Sequence, residues 1–122
     1  MLLLSCNFEN FDQRCAREAR EFTEKQCPRR ADQYTVMDSL TYDMSSRTFH
    51  YYYTLEGLLD NDSVMTQKVY EDFKDVLYKN VCNSVELKSY KEKDINFSYC
   101  YYSKSSGTVR LQVLFTPEDY NK

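Results

Sequence analysis

At 122 residues the chain is one domain's worth of sequence, able to bury roughly two-thirds of its unfolded surface without metals or staples. Its formal charge of −3, with acidic and basic residues well mixed, argues against a nucleic-acid or anionic-membrane surface, where a basic patch supplies most of the affinity. Twelve Tyr and seven Phe stand against two Gly and two Pro, so turns must rely on Asn, Asp and Ser.

The first motif is Leu3-Leu4-Ser5-Cys6. It resembles a bacterial lipobox, in which Cys6 would receive the lipid, with a large residue at −3, a small one at −1 and a polar tether from Asn7 to Asn10. Only three leucines precede it, whereas a signal needs roughly 7–15 apolar residues behind a basic start. The expectation is therefore that Met1 lies inside a longer signal. Residues 1–9 are then a signal remnant and tether, and 10–122 a single α+β domain. The alternative is an apolar start with Cys6 merely packed, in a cytoplasmic protein. No other segment is long enough to span a bilayer.

From Asn10 to Gln26 the periodicity is helical. Asn10 and Gln13 have the spacing of a capping box, and Phe11, Cys15, Ala19 and Phe22 form one apolar stripe. Glutamates interleave the arginines, as on a solvated face laced with ion pairs. Cys27-Pro28 stops the helix and 29–33 reads as a polar connector. A strand follows over 34–43, with Val36, Leu40 and Tyr42 on one face. After a turn at 44–47, the strand 48–55 sets Phe49, Tyr51 and Tyr53 against His50 and Tyr52 on the opposite face.

Residues 56–63 break the pattern. A second helix is expected over 64–81, capped by Asp62 or Ser63, with Met65, Val69, Phe73, Val76 or Leu77, and Val81 in its stripe. Residues 85–94 connect it to strands at 95–102 and 108–116. Ile95, Phe97, Tyr99 and Tyr101 alternate there with Asn96, Ser98, Cys100 and Tyr102.

The two halves match in spacing. Leu40 stands thirteen residues past Cys27, and Ile95 thirteen past Cys82. Such matching predicts a duplicated α-β-β unit (αββαββ), with a four-stranded antiparallel sheet and two helices packed on one face. Cys27 and Cys82 would then be equivalent points near a pseudo-twofold axis. A disulfide between them would close a loop worth about 4 kcal/mol. Two ordinary hairpins matched by coincidence are the alternative.

Catalytic and metal-binding signatures are missing from the sequence: there is no phosphate-cradling loop, CxxC, HExxH or EF-hand pattern. No cofactor, metal or nucleic acid is expected. The one histidine, His50, could meet Cys100 across adjacent strands, but a solvent-facing or interface histidine is the simpler reading. Asp60 and Asp62 read as turn residues. An open sheet face carrying His50, Tyr52, Cys100, Tyr102, Arg110 and Gln112 suits protein or sugar binding, or cross-strand pairing that only stabilises the sheet.

The segments Cys27-Pro28 … Asp32 … Thr35, Leu40-Thr41-Tyr42-Asp43 and Thr48-Phe49-His50-Tyr51-Tyr52-Tyr53-Thr54-Leu55 resemble small uncharacterised envelope proteins and lipoproteins of Bacteroides-type bacteria. The closing Tyr101-Tyr102-Ser103 … Gly107-Thr108-Val109 … Phe115-Thr116-Pro117-Glu118-Asp119-Tyr120 fits the same pattern. The resemblance covers most of the chain after Asn10 and implies no activity and no catalytic residues. The expected function is a non-enzymatic, lipid-anchored envelope domain, periplasmic or at the surface, that binds an unknown protein through the open sheet face. A small ligand-binding domain or enzyme is the alternative, with a pocket between sheet and helices lined by Tyr51, Tyr53, Tyr99 and Tyr101.

Overall fold

The computed structural model describes residues 8–122; Cys6 lies outside them. Helix α1 (Phe11–Gln26) starts at the capping box, where Asn10 Oδ1 accepts from the Gln13 amide at 2.8 Å and Gln13 accepts from the Asn10 amide at 2.9 Å. Strands β1 (Arg29–Asp32), β2 (Thr35–Asp43) and β3 (Thr48–Leu55) follow. Helix α2 (Gln67–Asn83) then leads through the short α3 (Lys88–Lys91) to β4 (Asn96–Ser103) and β5 (Val109–Phe115), and α4 (Pro117–Tyr120) closes the chain.

The sheet has five strands in the order β1-β2-β3-β4-β5, and β3 runs parallel to β4 while every other pair is antiparallel. The expected four-stranded antiparallel sheet with two helices is thereby corrected. The physical reason is α2, whose 17 residues span about 25 Å. That length carries the chain back along the sheet, so β4 begins at the end where β3 began, as in a strand–helix–strand crossover. No rotation or translation that keeps both helices on one face superposes β2–β3 on β4–β5. The pseudo-twofold relation expected of a duplication is absent.

Three local corrections follow. Residues 29–32 form an edge strand, exposed along its whole length, which is why they read as a connector. Helix α2 starts at Gln67 because the Thr66 hydroxyl accepts from the Val69 amide. A bulge at Asp38 shifts the parity of β2, so Met37, opposite Tyr53, joins Leu40 on the helix side while Val36 faces Thr54 on the other.

One core lies between the sheet and the helices. Cys15 and Ala19 of α1, Leu77 and Val81 of α2, and Tyr120 of α4 pack with Phe49, Phe97, Leu111 and Phe115. Cys27 and Cys82 are free thiols, as are Cys15 and Cys100. Cys27 precedes edge strand β1, whereas Cys82 lies beside Tyr78, which packs on Phe115 of the opposite edge strand. Three to four strand spacings, roughly 14–19 Å, separate those places, beyond the ~7 Å a disulfide spans. The expected bridge is not formed.

Candidate functional site

The open face of the sheet holds most of the residues expected there. His50 is half-buried and stacks on Tyr52 at 6.1 Å, and Tyr52 stacks on Tyr102 at 6.4 Å. Gln112 is exposed. Cys100 is only 4% exposed. The parallel ladder sets Cys100 opposite Tyr52 and His50 opposite Ser98, so no His50–Cys100 pair forms. Arg110 leaves this face altogether. A bulge between β4 and β5 pairs Tyr102 with Val109 and frees Arg110 to reach the β3–α2 connection. There its Nε meets Asp60 at 2.9 Å and its Nη1 meets Asp62 at 2.7 Å. Asp60 also accepts from the Ser103 hydroxyl at 2.6 Å and the Ser105 amide at 2.8 Å. The Ser103 hydroxyl first, then Ser105 and Arg110, holds its carboxyl well below the usual range. This is a structural clamp.

The helix side carries a second surface. Helix α1 sits over β2, held by the Thr23 hydroxyl on the Leu40 backbone and by the Tyr90 hydroxyl on Glu18 at 2.8 Å. Helix α2 leans toward β5, with Tyr78 on Phe115 and its hydroxyl donating to the Asp119 carbonyl at 3.0 Å. Because the helices are drawn to different strands, the middle of the sheet between them is left as the floor of a groove.

That floor is built from tyrosines paired across β3 and β4. Tyr51 stacks on Tyr99 at 4.6 Å and 7°, and Tyr53 on Tyr101 at 4.6 Å and 9°. The parallel register, which sets Tyr51 opposite Tyr99 and Tyr53 opposite Tyr101, produces both stacks. Space above them comprises about 710 Å³ beside α1, about 590 Å³ beneath α2 and about 440 Å³ near Asn80 and Asn83. The stretches adjoin, sharing Tyr51 throughout, Ala31 and Tyr53 between the first two, and Asn80 and Tyr99 between the second and third, and together they form a groove.

The hydroxyls of Tyr42, Tyr78, Tyr90 and Tyr120 each find a partner within the chain. Those of Tyr51, Tyr53, Tyr99 and Tyr101 find none among the described residues, yet none is sealed in the core. Burial pushes the Tyr53 phenol up to about 12 and raises the other three as well, so all four remain neutral donors and acceptors at physiological pH. The groove's rim is mainly acidic, from Glu18, Glu21, Glu86, Asp32 and Asp72, with Lys25 and Arg29 at one end. Sequence reasoning placed the four tyrosines on this face. It missed Thr35, whose buried hydroxyl also lacks a partner. A threonine at the start of a strand carries no signal that marks it.

Among the described residues no group of three or more His, Cys, Asp and Glu side chains is placed to hold a metal ion, and no helix is long and apolar enough to cross a membrane.

The model of one family, described as a domain of unknown function (DUF8479), matches residues 10–111. None of the curated proteins matches the sequence. Three solved structures share the fold. A Pseudomonas aeruginosa protein inferred to be secreted is 8% identical, with 93% of this chain and 99% of that one covered at a TM-score of 0.71. The type 2 secretion system pilotin EpsS of Vibrio vulnificus is 6% identical, covering 89% and 90% at 0.69. The type II secretion system pilotin AspS of Vibrio cholerae is 13% identical, covering 88% and 90% at 0.65.

Proposed function

The chain belongs to the DUF8479 family, and we propose that it is a non-enzymatic domain of the bacterial cell envelope that binds another protein. The partner contributes a segment that lies in the groove between α1 and α2. The observation that carries this reading is the set of four phenol hydroxyls on the groove floor, none with a partner among the described residues. A floor of neutral hydroxyls on stacked rings, open to the groove, offers hydrogen bonds and apolar area together. A groove of three connected stretches matches an extended or helical segment better than a compact metabolite. Its acidic rim favours a segment with basic residues.

The fold shared with two secretion pilotins and a protein inferred to be secreted supports the envelope location. Cys6 would supply the lipid anchor. Recognition moves from the open sheet face to the groove because His50, Tyr52 and Tyr102 stack on one another and Arg110 is tied to Asp60.

Photo-crosslinking in the native cell tests the reading. A benzophenone amino acid at Phe22 or Val76, on the two walls of the groove, is expected to capture a protein partner. Capture from Tyr52 or Gln112 alone would move the site to the open face.

A further inference from the structure

The stretch of groove beneath α2 differs from the rest in its charge. It holds about 590 Å³, and among the described residues its charged liners are two carboxylates, Asp32 at the end of β1 and Asp72 on α2. No lysine or arginine lines it. Asp72 is tied only to Lys68 on the outer surface of α2, where both side chains are largely exposed. Such an ion pair is weak and readily exchanged.

The inner surface of this chamber is unusual in a second, independent way. Thr35 is 3% exposed and its hydroxyl has no hydrogen-bond partner among the described residues. Tyr99 and Tyr101, 7% and 4% exposed, also line the chamber with hydroxyls that lack partners. Val69, Phe73 and Val76 form the apolar wall on the helix side. A buried polar group without a partner is costly, so the Thr35 hydroxyl, with two unpaired phenols opening on the same space, points to an occupant that supplies what it lacks.

Resting on the groove reading above, we propose that this chamber receives a basic side chain, a lysine or arginine of the partner segment. The chemistry selects that class. The ammonium or guanidinium head carries several donors and no acceptor. The Thr35 hydroxyl and the Tyr99 and Tyr101 phenols can turn their lone pairs to it, and Asp32 and Asp72 supply the opposite charge. The aliphatic stem lies along Val69, Val76 and the aromatic edges, as long basic side chains do on apolar surface. A carboxylate there would face two like charges. A neutral amide would bring no charge to Asp32 and leave Asp72 with only its exposed pairing to Lys68.

The probes are n-butylammonium and n-butylguanidinium, with n-butanol and n-butyrate as controls of matching length. Each is titrated into the full chain and followed by NMR. The two cations are expected to shift Thr35, Phe73 and Tyr101 with dissociation constants in the millimolar range, at least about tenfold tighter than butanol, while butyrate does not bind. The Asp32→Asn, Asp72→Asn double variant is expected to lose that preference while keeping its native spectrum. Equal binding of butanol and the cations overturns the proposal, as do shifts centred on Tyr52 and Tyr102. If cation preference is absent but Phe22 and Val76 still capture a partner, the basic side chain is excluded and the groove reading stands. If both are absent, both fall.

Discussion

The Thr23 hydroxyl satisfies both backbone groups of Leu40, accepting from its amide at 2.9 Å and donating to its carbonyl at 2.7 Å. Edge strand β1 pairs with β2 only as far as Met37, so beyond that point β2 has no outer strand. A helix side chain takes the place of the missing ladder, and it fixes α1 as one wall of the groove. Replacing Thr23 by Val preserves shape and removes both bonds. The expected loss is about 1–2 kcal/mol, since two part-buried backbone groups are left unpaired, while Thr23→Ser stays close to wild type. Urea unfolding measures it, and an unchanged midpoint for Thr23→Val would show that water replaces the hydroxyl.

The clamp of Arg110 on Asp60 makes stability depend on acid. Asp60 has a folded pKa below its unfolded one, so its contribution is present above the ordinary aspartate range, near 4, and is lost as pH falls through the lowered folded value. Asp60→Asn is therefore expected to be less stable than wild type at pH 7, with the difference narrowing as the pH falls below about 4. Urea midpoints between neutral pH and the acid limb read this directly. Two curves that stay parallel would mean that Asp60 does not titrate with folding.

What could be read in the sequence was whatever depends on neighbours in the chain. The capping box of Asn10 and Gln13, the alternation through Phe49, Tyr51 and Tyr53, and the alternation through Phe97, Tyr99 and Tyr101 are all local patterns, and the faces they imply are the faces seen. What escaped depends on register. The bulges at Asp38 and Arg110 each reverse an alternation, and nothing in the residues themselves announces them. The parallel pairing of β3 with β4 was within reach, because a helix long enough to retrace a strand between two strands is the pattern of a crossover. The groove was not. It arises because Thr23 draws α1 to β2 while Tyr78 draws α2 to β5, and those contacts join residues far apart in sequence.

The thiols report on burial one at a time. Cys15 and Cys100 are buried, and burial pushes the Cys15 thiol up to about 11, whereas Cys27 and Cys82 are partly exposed. In a Cys6→Ser variant, two thiols are expected to react with a disulfide reagent in the folded state and the other two only on unfolding. Intact mass should be the same before and after reduction. A gain of about 2 Da on reduction would mean that a bridge forms after all.

Tyr101 and Tyr120 make opposite use of the same side chain. Tyr120 donates to the Ile95 carbonyl at 2.8 Å inside the core, while the Tyr101 hydroxyl opens on the groove with no partner among the described residues. Tyr120→Phe should therefore lower stability by about 1–2 kcal/mol, because the carbonyl of Ile95 is left buried and unpaired. Tyr101→Phe should change stability by less than about 0.5 kcal/mol in either direction, since the ring packing against Tyr53 and Phe73 is kept and no internal bond is lost. Its effect falls on recognition, where a lost hydrogen bond to the partner weakens capture from Val76 by roughly threefold to tenfold. Paired denaturation and crosslinking experiments separate the two roles. If Tyr101→Phe destabilises the fold as much as Tyr120→Phe and leaves capture unchanged, the hydroxyl belongs to the core and the groove floor is only structural.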